Sequence, residues 1–153
     1  MGDHISLVID KVGVDGEPLE PKENRTKFIN QCGVIVRDNI AISTREWHKP
    51  KADDGSVSYV DERSKDDLWD KLMAYFNLPL GLSDGMKLKV KDWALKKMAT
   101  QFRTFKKKLW SEYKQKKETP TFTGAREKQN YHWDAFKAYK ESSDVVARSE
   151  KNK

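Results

Sequence analysis

The chain has one cysteine, Cys32, so no internal disulfide can form and no thiolate metal site can be completed. Cys32 precedes the mostly apolar stretch Gly33-Val34-Ile35-Val36, where a thiol behaves as a small hydrophobe suited to a reducing compartment. Long apolar runs are missing too. None approaches the roughly 18 residues that cross a bilayer, and Met1-Gly2-Asp3-His4 lacks the charged-then-apolar pattern of a secretory leader. The expectation is an intracellular protein with no membrane partner, in which the sequon Asn24-Arg25-Thr26 carries no meaning. Apolar residues make up only 37 % of the 153 against 35 % charged. A core must therefore lean on aromatic side chains, five of them Trp.

The chemistry of catalysis is also sparse. His4, His48 and His132 are far apart, with no second ligand at zinc-like spacing. The acidic pairs Asp53-Asp54 and Asp66-Asp67 fall in a turn and at a helix start, where carboxylates have structural reasons to be. There is no Gly-rich phosphate loop and no nucleophile with a recognisable base. These gaps argue against an enzyme: no catalytic residue, metal, cofactor or small-molecule substrate is expected.

Basic charge is plentiful and one-sided. Residues 1–86 hold 11 Lys or Arg against 16 Asp or Glu, and residues 87–153 hold 19 against 8. Such asymmetry points the basic half at a polyanion, nucleic acid before membrane surface. It also suggests an acidic N-terminal subdomain of residues 1–62, with short strands and one helix, and a three-helix basic subdomain of residues 63–153, in one compact unit.

Along the chain, the β-branched stretch Ile5 to Asp10 and the turn residues Val14-Asp15-Gly16-Glu17-Pro18 predict a short strand or hairpin arm. Asn24 caps a predicted helix carrying Phe28, Cys32 and Ile35 or Val36 and closing near Asn39. Ser43-Thr44-Arg45-Glu46 reads as a capping box for a single turn bearing Trp47 and stopped by Pro50, and Val57 and Tyr59 as an edge strand. Ser64 starts a helix with the stripe Leu68, Trp69, Leu72, Met73, Tyr75 and Phe76, ended by Pro79 and Gly81. Met86, Leu88 and Val90 alternate with lysines, a period of two that predicts an extended arm.

Asp92 then caps one long helix over residues 92–117, with Leu95, Met98, Phe102, Phe105, Leu109 and Tyr113 on its apolar face. Opposite them stand Lys96, Arg103, Lys107 and Lys114, with Lys97 and Lys108 beside them. Between Trp93 and Lys117 nine cations face one acid, Glu112. A solvated face mixes both signs, so this ridge favours phosphate binding. Lys106-Lys107-Lys108 with Lys114, Lys116 and Lys117 also offers the clustered cations of a nuclear import signal. Trp93 packs beneath the preceding arm or stacks on a base, and Trp47, Trp69, Trp110 and Trp133 read as core. A last helix buries Trp133, Phe136, Tyr139 and Val146, and residues 148–153 fray.

In this order the elements resemble the plant transposase-associated domain of CACTA-class (En/Spm-like) transposon proteins and their domesticated relatives. The resemblance rests on Gly16-Glu17-Pro18, Phe28, Gly33, Val36-Arg37, Ile40, Ile42 and Trp47. It continues through Leu68-Trp69, Phe76, Trp93, Lys97, Phe102-Arg103, Lys106, Leu109 and Tyr113 to Trp133, Phe136, Tyr139 and Ser149-Glu150-Lys151-Asn152. It implies a nuclear, DNA-associated or protein-assembly role beside, not within, a catalytic core.

The expected fold is mainly α (α+β): a helix-turn-helix-like bundle with one long basic helix and a small N-terminal β hairpin or arm. Its expected partner is DNA, duplex first, on Lys96, Lys97, Arg103, Lys106, Lys107, Lys108 and Lys114. The rival is a protein-interaction module, for example a homodimer in which the acidic half of one chain meets the ridge of another.

Overall fold

The structure, a computed structural model, describes residues 6–51, 55 and 57–151, with side chains to residue 144. Ile5, His4, Asp53, Asp54 and the last two residues lie outside it, as do the side chains of Val146 and of Ser149-Glu150-Lys151. Its elements run β1 (Leu7–Val8), β2 (Lys11–Val12), β3 (Pro18–Glu20), α1 (Lys22–Asn39), α2 (Glu62–Met73), β4 (Phe76–Asn77) and α3 (Asp84–Lys116). A 3-10 stretch (Gly124–His132) and α4 (Trp133–Lys151) complete it. The fold is mainly α with a small β arm, as composition and periodicity predict.

Contacts divide the chain into two compact units, each built from two stretches. Unit one takes the residues up to Val36 with Glu62–Phe102, and unit two takes Arg37–Asp61 with the residues from Arg103 onward. The acidic residues 1–62 and the basic residues 63–153 are each shared between the units. Sorted by unit, the sequence gives 12 Lys or Arg against 12 Asp or Glu in unit one and 18 against 12 in unit two. The whole net charge of +6 therefore belongs to unit two.

In unit one, β2 and β3 form an antiparallel hairpin, and β1 lies parallel to β4 with Leu7 beside Phe76. The hairpin turn uses Gly16 at φ 93, and a Cβ there would stand 2.2 Å from the Lys89 carbonyl oxygen. Glycine meets both demands, a left-handed backbone and close approach to a helix. The core gathers Ile9, Phe28, Cys32, Leu68, Leu72 and Phe76 with Val90, Ala94, Met98 and Phe102. Phe28 and Phe76 meet at 5.1 Å between ring centroids.

Three helix starts differ from expectation. Helix α1 begins at Lys22, with the Pro21 carbonyl accepting from Arg25, and the Asn24 amide donates to the Val8 carbonyl at 2.8 Å instead of capping. Helix α2 begins at Glu62 and ends at Met73, since Phe76 pairs with Leu7 in β4. The largest correction concerns residues 86–91, which are helical. Ser83 is the cap: its Oγ accepts from the Met86 amide at 3.1 Å, its carbonyl accepts from Lys87 at 3.0 Å, and Asp84 occupies the first turn. The period-two alternation is coincidental, because Val90 is fully buried while Leu88 is 60 % exposed. Of the three lysines here, Lys87 is exposed, Lys89 is engaged with the Val14 carbonyl and Lys91 with Asp66.

In unit two, Ile40, Ile42, Val60, Trp110, Phe122, Trp133 and Phe136 are buried. Trp110 and Tyr113 stack at 5.4 Å, and Tyr113 meets Trp133 edge-on at 5.2 Å. The turn expected from Ser43 to Glu46 is not helical. Glu46 instead bridges Tyr59, accepting from Val60 and donating to the Ser58 carbonyl, so Tyr59 is extended as expected. Helix α3 stops at Lys116, and Lys117 turns the chain with φ 58. Helix α4 holds through Lys151, where fraying from residue 148 was expected.

Candidate nucleic-acid interface

All seven cations of the expected ridge stand on α3, and the fold treats them differently. Lys96 and Lys97 belong to unit one. Lys96 is exposed, whereas Lys97 is half-buried with its Nζ 5.2 Å from the centroid of Trp93, a cation–π contact. Trp93 in turn packs 6.3 Å from Phe28, so it is a packing residue.

The other five belong to unit two. Arg103, Lys107 and Lys108 are exposed, and among the described residues no side-chain hydrogen bond or ion pair engages them. Arg103, Lys107 and Lys114 are four and seven residues apart, which at about 100° per residue keeps them within about 40° of one another over about 16 Å of helix. Lys108 lies off that line. Lys114 is exposed but lies 3.7 Å from Asp144, whose other role is to accept the indole N–H of Trp110 at 2.9 Å.

Lys106 is the correction. Its Nζ donates to the Thr44 carbonyl at 2.8 Å and sits 5.7 Å from the Tyr139 ring centroid. Burial pushes its pKa down to about 8, Lys140 adds to the fall and Glu46 opposes it. Positions Val90, Ala94, Met98 and Phe102 are buried in steps of four, and Lys106 is the next step before Trp110. A four-residue step drifts about 40° from the helical repeat, so the buried row leaves the face that the three-and-four pattern predicts. Lys106 is thus an anchor within unit two and not an open phosphate ligand.

Several residues that organise this surface carry no local sequence signal. Gln129 is buried, donating through Nε2 to the carbonyls of Arg37 at 2.9 Å and Ile40 at 2.7 Å and accepting from the Ile42 amide at 2.9 Å. It thereby satisfies carbonyls at the C-terminal end of α1. Arg126 pairs with Asp38 at 2.9 Å, and Arg37 and Arg126 both lie about 6 Å from the Phe105 ring. Burial and the charge of Arg126 lower the pKa of Arg37. Arg45 lies 5.3 Å from the Tyr139 ring, and burial raises the Tyr139 phenol to about 12. Each of these arginines lies against an aromatic ring distant in sequence, which marks a cation held for packing.

Trp110 and Trp133 are core, but Trp47 and Trp69 are only half-buried, and Trp69 lines an open groove in unit one. Burial pushes the Cys32 thiol up to about 12. Among the described residues no three His, Cys, Asp or Glu side chains gather in a metal-holding group, and no helix is long and apolar enough to cross a membrane. No protein-family model, curated protein or solved structure matches the chain.

Proposed function

We propose that this chain is a DNA-binding module, not an enzyme, and that it engages the phosphates of duplex DNA through Arg103, Lys107 and Lys114 of α3 with Lys108 beside them. The observation that carries the reading is the line of exposed cations in unit two, the unit that holds the entire net charge of +6. Cations on one helix face displace condensed counterions from the duplex, and this release drives binding of any sequence. The contacts position the protein without reading bases, so affinity should be similar for unrelated duplexes.

Lys106 is left out of the interface because its charge is committed to Thr44. Lys96, exposed on the same helix, belongs to unit one and the reading does not require it. A nuclear location and descent from the transposase-associated domains of plant transposons belong to the same proposal. Their support is the clustered lysines Lys107, Lys108, Lys114, Lys116 and Lys117 and the run of aromatic and glycine positions that resembles that family.

The test is fluorescence anisotropy of a labelled duplex titrated with the full chain at rising salt. Three phosphate contacts imply that the logarithm of the affinity falls with that of salt at a slope of about −2.7, or about 40-fold between 50 and 200 mM. Absence of binding at about 50 mM salt, where phosphate contacts are strongest, would remove the proposal.

A further inference from the structure

Unit one carries an open groove of about 1060 Å³ beside α2. Trp69 and Met73 of α2, Val8 of β1 and the buried Phe76 line it, together with two charged residues, Asp10 and Lys87. Trp69 and Met73 are four residues apart, so they share one helix face. At its margin Leu80, between Pro79 and Gly81, is 102 % exposed, and Gly81 at φ 78 sets the turn that presents it. With the apolar lining beside it, Leu80 makes a continuous exposed apolar patch, the kind of surface that marks an interaction site. Val8 at 44 % exposure extends the apolar surface.

The charges identify what fills it. A groove built for a basic or an acidic peptide would carry walls of one sign, whereas this one has an acid, Asp10, and a base, Lys87, both exposed. In a twofold contact residue i of one copy meets j of the other while j meets i. One acid and one base around an apolar floor are therefore complementary to themselves. Unit one also has no net charge, 12 cations against 12 acids, so unit one itself adds no net repulsion to such a contact.

We propose that this groove is the contact surface of a symmetric dimer, unit one against unit one of a second copy. Leu80 of each copy enters the groove of the other, and Asp10 of each faces Lys87 of its partner copy. This surface differs from a pairing of acidic and basic halves, and it does not depend on DNA binding. Its basis is apolar burial with two rim ion pairs, so it persists at high salt, where a charge-driven association dissolves.

Sedimentation velocity on the full chain, without nucleic acid and in high salt, tests it. The mass is expected to rise from 17.8 kDa toward twice that value as concentration climbs from about 1 to about 200 µM. Leu80→Glu is expected to hold the chain monomeric with an unchanged far-ultraviolet circular dichroism spectrum. Asp10→Lys and Lys87→Asp should each weaken the dimer about fivefold or more, and the double exchange should restore it. A monomer at every concentration overturns the proposal. So does a dimer that dissolves in high salt, that tolerates Leu80→Glu, or that the double exchange fails to restore.

Discussion

The side-chain oxygen of Gln129 accepts a hydrogen bond from the backbone amide of Ile42 at 2.9 Å, across 87 residues of chain. With its amide nitrogen on the carbonyls of Arg37 and Ile40, this buried side chain ties the 3-10 stretch to the end of α1 in unit two. Gln129→Ala leaves three backbone groups without that partner. At about 1–3 kcal/mol for each group left buried and unpaired, partly relieved by water, the expected loss is about 2–4 kcal/mol. Urea unfolding followed by circular dichroism measures it, and a cost below about 1 kcal/mol would contradict the capping role.

Gly16 and Gly81 share a left-handed backbone, at φ 93 and φ 78, but only Gly16 is crowded. Gly81→Ala is expected to cost about 1 kcal/mol, the conformational penalty alone. Gly16→Ala adds a clash with the backbone at Lys89 and is expected to cost well over about 2 kcal/mol. Paired unfolding curves of the two variants decide it, and equal costs would rule out the close approach of the hairpin to α3.

Lys106 gives the fold a pH dependence. Its folded pKa, about 8, lies below its ordinary value of 10.5, so between those pH values the unfolded chain binds more protons and stability rises with pH. The gain is complete above 10.5 and is lost as pH falls through 8. Above pH 10 the Tyr139 phenol opposes further gain, because its folded pKa of about 12 exceeds the ordinary 10 and the unfolded chain ionises first. Chemical denaturation at pH 7, 8, 9 and 10 is expected to show midpoints rising with pH in the parent chain and a flatter profile in Lys106→Met. Identical profiles would show that Lys106 is not held as described.

Asp144 competes for a cation of the proposed interface, since its carboxylate lies 3.7 Å from Lys114 while accepting the Trp110 indole N–H. Asp144→Asn retains an oxygen for Trp110 and removes the charge. An exposed pair of this kind contributes about 0.2–1 kcal/mol, so DNA affinity is expected to rise about two- to fivefold. Anisotropy at fixed low salt reads it, and no gain would mean that Lys114 takes no part in binding.

How much of this was legible in the sequence follows from the range of each interaction. Phe28, Cys32 and Val36 announced α1, and Trp133 and Phe136 announced α4, because their spacing records burial within one helix. The start of α3 was obscured because Met86, Leu88 and Val90 alternate, although Ser83 offered a cap immediately upstream. Phe76 fits the stripe of α2 as well as it fits β4, and only its pairing with Leu7 separates the two. Lys106 looked like a ridge residue because Thr44 and Tyr139, which hold it, are distant in sequence. Gln129 gave no signal at all, since polar side chains that cap a remote helix follow no period. The interleaving of the units was hidden for the same reason.

The proposed interface stands or falls on the salt dependence of duplex binding by the double variant Arg103→Glu, Lys107→Glu. Removing two of three phosphate contacts should reduce the slope from about −2.7 to about −0.9 and weaken binding alike for unrelated duplexes. The folding midpoint should stay unchanged, because both side chains are exposed. A slope that stays near its parental value in the folded double variant would place the DNA contacts elsewhere and contradict the role assigned to α3.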